Sequence, residues 1–88
     1  MDRKEIIDRL KPIIKTYAPD QVNEKLENLT EDADFIQDLA INSANLVDII
    51  LDVEEEFNIT VDNESMEKML TIKASVDIIS SKLAENDR

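Results

Sequence analysis

Ser43 is the residue of this sequence whose surroundings point most clearly to chemistry, because an amphipathic helical pattern begins there. The segment around it, Leu39–Val47, reads LAINSANLV, and the longer stretch Leu26–Glu67 contains no lysine or arginine. A hydroxyl at the start of a helix, inside an acidic surface, is suited to being covalently loaded and presented to basic partners.

The composition removes most other catalytic chemistry. The chain has no cysteine and no histidine, so it lacks a thiol nucleophile, the usual zinc ligands and a general base that titrates near neutral pH. Any thiol chemistry must therefore come from an added cofactor. The 21 acidic residues against 10 basic ones produce a formal charge of -11, which repels nucleic acid and anionic membrane surfaces.

Glycine is absent from all 88 residues. Asp32 and Asp34 begin like a calcium-binding loop, but the glycine and the terminal glutamate of that motif are missing, so no metal site is predicted. Turns that need a left-handed residue must use Asn or Asp instead. The asparagines placed between or beside the periodic segments are Asn28, Asn42, Asn58 and Asn63.

Hydrophobic periodicity predicts an all-α fold, a four-helix bundle formed by one domain of residues 1–88. The first helix carries an apolar stripe from Ile6 to Tyr17, the second covers residues 43–57, a short third covers 63–70, and the last begins at Thr71. Residues 18–42 show no sustained period and predict a long loop that is held to the core. The expected anchors of this loop are Leu26, Leu29, Phe35, Ile36, Leu39 and Ile41.

The second helix carries two apolar stripes. The first contains the expected core residues, which are Leu46, Ile49, Ile50, Val53 and Phe57. The other contains Val47 and Leu51, in line with Ala44, and it is surrounded by carboxylates. This acidic ring consists of Asp48, Asp52, Glu54 and Glu55. Small apolar anchors within such a ring predict a docking surface for partners with basic patches.

Three segments carry a resemblance to a known family: Leu39–Val47, Glu54–Val61 (EEEFNITV) and Thr71–Ile79 (TIKASVDII). Together they resemble the acyl carrier proteins of fatty-acid and polyketide synthesis, and the resemblance covers nearly the whole chain. It implies that Ser43 carries a 4'-phosphopantetheine arm derived from coenzyme A, whose thiol holds an acyl group as a thioester. It further implies a helical interior that shelters the acyl chain.

The resemblance also implies the partners: a phosphopantetheinyl transferase, and acyl-chain synthases or acyltransferases with basic docking patches. Three residues depart from the family's motif. Asn42 replaces the usual aspartate before the serine, Ala44 the leucine after it, and Ala40 a common glycine. Because the aspartate is implicated in the metal-bound complex with the transferase, we expect a divergent or dedicated carrier, with Asn42 and Ala44 part of the docking surface.

Two alternative hypotheses assign the chain to other functional classes, an interaction protein and an enzyme. A serine at a helix start is often only a cap, and the chain would then be an unmodified acidic interaction protein that retains the carrier fold. An enzyme is not expected, because no nucleophile with its base and no oxyanion site is present. With no signal core and no apolar run of about 18 residues, we expect a cytoplasmic monomer without stable membrane insertion.

Overall fold

The computed structural model describes residues 1–86 and confirms an all-α fold. The helices are α1 (Arg3–Tyr17), α2 (Asn23–Glu27), α3 (Ser43–Phe57), α4 (Asn63–Lys68) and α5 (Ile72–Asn86), with a 3₁₀ turn at Asp20–Val22 before α2. No strand occurs in this described part of the chain. None of its helices is both long and apolar enough to cross a lipid bilayer.

The core forms where α1 packs against both α3 and α5. α1 is capped by Asp2, whose carboxylate accepts a hydrogen bond of 2.8 Å from the Glu5 amide. The helix continues through Pro12 and ends at Ala18, whose amide bonds the Ile14 carbonyl. The buried side chains of these three helices include Ile6, Leu10, Ile14, Ile49, Ile50, Val53, Phe57, Ile72, Val76 and Ile79. The predicted core face of α3 is confirmed, with Leu46 half-buried at its edge.

The region between α1 and α3 is more ordered than the sequence predicted. It contains the 3₁₀ turn and α2, so the described residues form five α-helices where four were expected. Val22 and Leu26 lie four residues apart, are both buried, and help to pack this short segment against α1. A helix of five residues is too short to show a repeating pattern, which explains why periodicity missed it.

Five of the six expected loop anchors contact the core. Leu26, Phe35, Leu39 and Ile41 are buried, and Leu29 is half-buried. The prediction was wrong for one residue.

That residue is Ile36, whose side chain is 43% exposed. The amides of Ile36 and Gln37 both donate to the Asp34 carboxylate at 2.9 Å. This turn places Phe35 in the core, and its neighbour Ile36 remains at the surface.

Backbone hydrogen bonds join the same loop to the start of α5. The Phe35 amide donates to the Leu70 carbonyl at 3.0 Å, and the Ile72 amide donates to the Ala33 carbonyl at the same distance. The loop before Ser43 is thereby held against the first turn of the last helix. This pairing of distant segments positions the site.

Candidate functional site

Ser43 is the first residue of α3, and it is exposed. The residue before it, Asn42, caps the helix: its Oδ1 accepts a hydrogen bond of 2.9 Å from the Ala44 amide. The Asn42 carbonyl also accepts a bond of 2.8 Å from the Asn45 amide. The reading of Ser43 as the cap is therefore wrong. Within residues 1–86, no hydrogen bond engages the Ser43 hydroxyl.

The turn that precedes Ser43 is fixed by the residues on both sides of Ala40. Leu39 and Ile41 are buried, and the Ile41 amide donates to the Phe35 carbonyl at 2.9 Å. Between them, Ala40 takes a left-handed backbone conformation with φ 53°. This conformation is unfavourable for a residue with a Cβ atom, so buried neighbours enforce it.

The prediction that Asn or Asp takes every left-handed position is correct at Asn58 and wrong at Ala40. Within the described residues, positive φ occurs at Ala40 and at Asn58, where it is 55°. Asn58 is the C-cap of α3, a position at which helices commonly end with a left-handed residue. Asn28 and Asn42 both have negative φ, and Asn63 is the first residue of α4, so none of these three takes a left-handed conformation.

The electrostatic setting of Ser43 favours an attached anion. The first turn of α3 contains no acidic residue, whereas α1 has Glu5 and α4 has Glu64 in that position. The amino end of a helix carries the positive end of its dipole and backbone amides that lack partners within the helix. An exposed hydroxyl in this environment fits a phosphodiester. Among the described residues, no cluster of acidic side chains is placed to hold a metal ion.

The predicted docking surface occupies the outer face of α3. Val47 and Leu51 are 49% and 52% exposed, which places both apolar side chains in contact with solvent. The carboxylates of Asp48 and Glu55 lie on exposed residues of the same helix. Asn42 and Ala44, at its start, are exposed as well. This face therefore combines unpaired apolar surface with negative charge.

Two members of the acidic ring are engaged within the protein. The Asp52 carboxylate accepts a hydrogen bond of 2.8 Å from the Tyr17 hydroxyl. The Glu54 carboxylate accepts one of 2.9 Å from the Val61 amide. Both acidic residues are half-buried. The structure thus separates Asp48 and Glu55, which face solvent freely, from Asp52 and Glu54, which also hold neighbouring segments.

The contact of Tyr17 with Asp52 and the capping role of Asn42 were not predicted from the sequence. An asparagine directly before a helical pattern is a recognised start signal, so the capping role of Asn42 could have been predicted from the sequence. The bond from Tyr17 crosses between α1 and α3, and no local pattern encodes such a contact. The hydrogen bond raises the pKa of the Tyr17 hydroxyl, because it stabilises the protonated phenol and the nearby Asp52 carboxylate opposes a second negative charge.

Comparison with known proteins agrees with this geometry. A family model described as the phosphopantetheine attachment site matches residues 12–79. The chain is 37% identical to the acyl carrier protein of Coprothermobacter proteolyticus over 83 residues, which are 94% of this chain and 96% of that relative. The chain belongs to the acyl carrier protein family.

Other acyl carrier proteins match over a similar extent. The one from Petrotoga mobilis is 34% identical over 88 residues, covering 99% of this chain and 98% of its own. The crystal structure of the acyl carrier protein of Thermotoga maritima superposes with a TM-score of 0.79 at 27% identity, covering 98% and 95% of the two chains.

Membership confirms several of the predictions. Acyl carrier proteins are carriers and not catalysts, and their cofactor is phosphopantetheine. The family as a whole works with a phosphopantetheinyl transferase and with synthases. The chain is accordingly a phosphopantetheine carrier.

Proposed function

We propose that Ser43 bears 4'-phosphopantetheine and that residues 1–88 form one carrier domain. This domain presents acyl groups as thioesters to enzymes of fatty-acid, polyketide or related biosynthesis. The observation that carries the proposal is the exposed Ser43 hydroxyl at the first position of α3, left free because Asn42 caps the helix. The same position places an attached phosphate beside the first-turn amides.

Loading exchanges the phosphoanhydride bond of coenzyme A for a phosphodiester at Ser43. The Ser43 oxygen forms a bond to the phosphorus that bears pantetheine in coenzyme A, and the pyrophosphate bond breaks. Adenosine 3',5'-bisphosphate leaves with the electron pair, and the serine proton passes to a base of the transferase. When bound, the arm supplies the thiol that this chain lacks.

Partners bind through the outer face of α3 in this proposal. Val47 and Leu51 supply exposed apolar contacts, and Asp48 and Glu55 steer basic patches towards them. Asp52 and Glu54 contribute charge to the same field, but each is also committed to a hydrogen bond inside the protein. The charge of -11 opposes self-association, so we propose that the protein is a monomer. We also propose that it acts in the cytoplasm.

The motif residues Asn42 and Ala44 make this chain a divergent or dedicated carrier in our proposal. Asn42 retains the capping bond without the negative charge that an aspartate would bring. Ala44 exposes less apolar surface than leucine. We expect Asn42→Asp and Ala44→Leu to raise the loading rate by transferases of broad specificity. Unchanged rates with several such transferases would contradict this part of the proposal.

The decisive experiment is the intact mass of the protein after incubation with coenzyme A, magnesium and a transferase of broad specificity. Ser43→Ala is the test variant, and Ser81→Ala, on an exposed residue of α5, is the matched control. We expect one phosphopantetheine addition in the wild type and the control, and none in Ser43→Ala. No addition to any protein would favour the unmodified acidic interaction protein, and addition to Ser43→Ala would place the arm elsewhere.

A further inference from the structure

Asp34 holds together the loop before α3 through both its side chain and its backbone. Its Oδ1 accepts hydrogen bonds of 2.9 Å from the amides of Ile36 and Gln37. Its carbonyl accepts bonds of 3.0 and 3.2 Å from the amides of Asp38 and Leu39. Four consecutive amides of the loop therefore bond to one residue.

Asp38 closes this turn from its other end. Its Oδ2 accepts a hydrogen bond of 2.7 Å from the Asp34 amide, so the two aspartates each donate an amide to the other. Both are half-buried, and hydrogen bonds to an ionised carboxylate are stronger than those between neutral groups. The Phe35 amide joins the turn to the Leu70 carbonyl at 3.0 Å. Residues 34–39, which we call the aspartate turn, are thus closed on themselves and anchored beside α5.

A short segment connects the aspartate turn to Ser43. The Ile41 amide donates to the Phe35 carbonyl at 2.9 Å, which brings the chain back to the turn. Ala40 lies between these contacts and is held at φ 53°, a conformation that alanine avoids in a free chain. Asn42 follows at once as the cap of α3. The bonds of the turn therefore fix the path by which the chain reaches Ser43.

A loop without these bonds would not keep this path. Ala40 would relax to the negative φ that residues with a Cβ atom prefer, and the chain would then approach Ser43 in many conformations. An enzyme that binds one of them would find only a fraction of the molecules ready, and its apparent affinity would fall by that fraction. Ordering the loop in the complex would also cost free energy that the preformed turn saves.

Resting on the proposed function, we propose that Asp34 is a positioning residue for the loading of Ser43. It acts through the aspartate turn, which presents Ser43 in the conformation that the transferase binds. The role depends on the hydrogen-bond acceptor of the side chain and not on its negative charge. Asparagine offers the same acceptor without the charge, so Asp34→Asn should retain the role and Asp34→Ala should lose it.

The test measures kcat and KM for phosphopantetheine transfer from coenzyme A, with the unmodified protein as the varied substrate and a transferase of broad specificity. We expect Asp34→Ala to raise KM roughly tenfold and to change kcat by less than about twofold, because fewer molecules are ready to bind. Asp34→Asn should stay within about twofold of the wild type in both constants. The matched control is Asp2→Ala, which removes a bond of the same kind from the Glu5 amide at the start of α1 and should leave KM unchanged.

Amide hydrogen exchange in the unmodified proteins gives a readout that needs no enzyme. The Ile41 amide, bonded to the Phe35 carbonyl, should exchange about tenfold faster in Asp34→Ala than in the wild type, Asp34→Asn or Asp2→Ala. Circular dichroism verifies that each variant folds. If Asp34→Ala does not fold, Asp38→Ala takes its place, because it removes only the bond from the Asp34 amide. We expect it to raise both KM and the exchange rate.

Three results would overturn the inference while leaving the carrier function intact. The first is a KM in Asp34→Ala equal to that of the wild type. The second is an equal rise of KM in Asp34→Ala and Asp34→Asn, which would assign the effect to charge. The third is a rise of the same size in Asp2→Ala, which would assign it to stability in general. Failure of the wild type to load at Ser43 would instead contradict the proposed function.

Discussion

The Tyr17 hydroxyl donates a hydrogen bond of 2.8 Å to the Asp52 carboxylate. This bond joins the last turn of α1 to the second half of α3. The two residues are 35 positions apart in the chain. This contact fixes a member of the acidic ring and orients the helix that begins at Ser43. It connects the packing of the bundle to the surface that partners recognise.

Titration of Tyr17 tests this contact directly, because it is the single tyrosine and the chain has no tryptophan. We expect a pKa above the ordinary 10.0, since the hydrogen bond to the Asp52 carboxylate favours the protonated phenol. Asp52→Asn should lower the pKa towards that value, as followed by phenolate absorbance. Because the pKa of Tyr17 is higher in the folded than in the unfolded protein, this hydrogen bond stabilises the fold fully at pH values below the unfolded-state pKa. The stabilisation is lost as the pH rises through the folded-state pKa. Tyr17→Phe should therefore reduce stability at neutral pH, with the difference vanishing at strongly alkaline pH.

Relief of backbone strain at Ala40 is a second prediction. Ala40 has φ 53°, a conformation in which Cβ crowds the following carbonyl and which glycine adopts freely. Ala40→Gly should raise the free energy of unfolding by roughly 0.5–1 kcal/mol, after the entropy lost by glycine is deducted. The matched control is Ala84→Gly, on an exposed residue within α5, which should lower it by about 1 kcal/mol. Urea unfolding measures both, and a decrease for both would contradict the strain.

The two roles of Asn42 can be separated by substitution. Asn42→Ala removes the acceptor for the Ala44 amide and should lower the free energy of unfolding by about 1 kcal/mol. Asn42→Asp retains a capping oxygen and should leave stability nearly unchanged. If the loading rate rises in Asn42→Asp while Asn42→Ala only loses stability, the side chain's charge governs the transferase. Parallel changes in both quantities would show that helix capping alone controls loading.

Two adjacent glutamates provide a matched pair for the docking surface. Glu54 accepts a bond from the Val61 amide, so Glu54→Ala should lower the free energy of unfolding by about 1–2 kcal/mol. Glu55 is exposed, and Glu55→Ala should change stability by less than about 0.5 kcal/mol. Its effect should instead appear as a several-fold slower association with a basic partner at low salt, fading as salt rises. Equal association rates for Glu55→Ala and the wild type would remove Glu55 from the docking surface.

Much of the fold was predictable because long helices repeat their apolar residues. The core stripes on α1, α3 and α5 are each long enough to show a period near 3.6, and their residues are buried or half-buried. The position of Ser43 at the start of α3 followed from the same pattern. The short helix α2 was missed because five residues do not complete two turns and so cannot show a period.

The sequence by itself determined the helical class, the absence of thiol and imidazole chemistry, and an acidic helix that opens at Ser43. These properties depend on composition and on local spacing. Only the tertiary structure decided that Ala40 takes the left-handed position, that Tyr17 reaches Asp52, and that the buried Ser75 hydroxyl has no hydrogen-bond partner within residues 1–86. Each of these depends on which distant segments meet, and contacts between segments far apart in the chain leave no periodic trace along it.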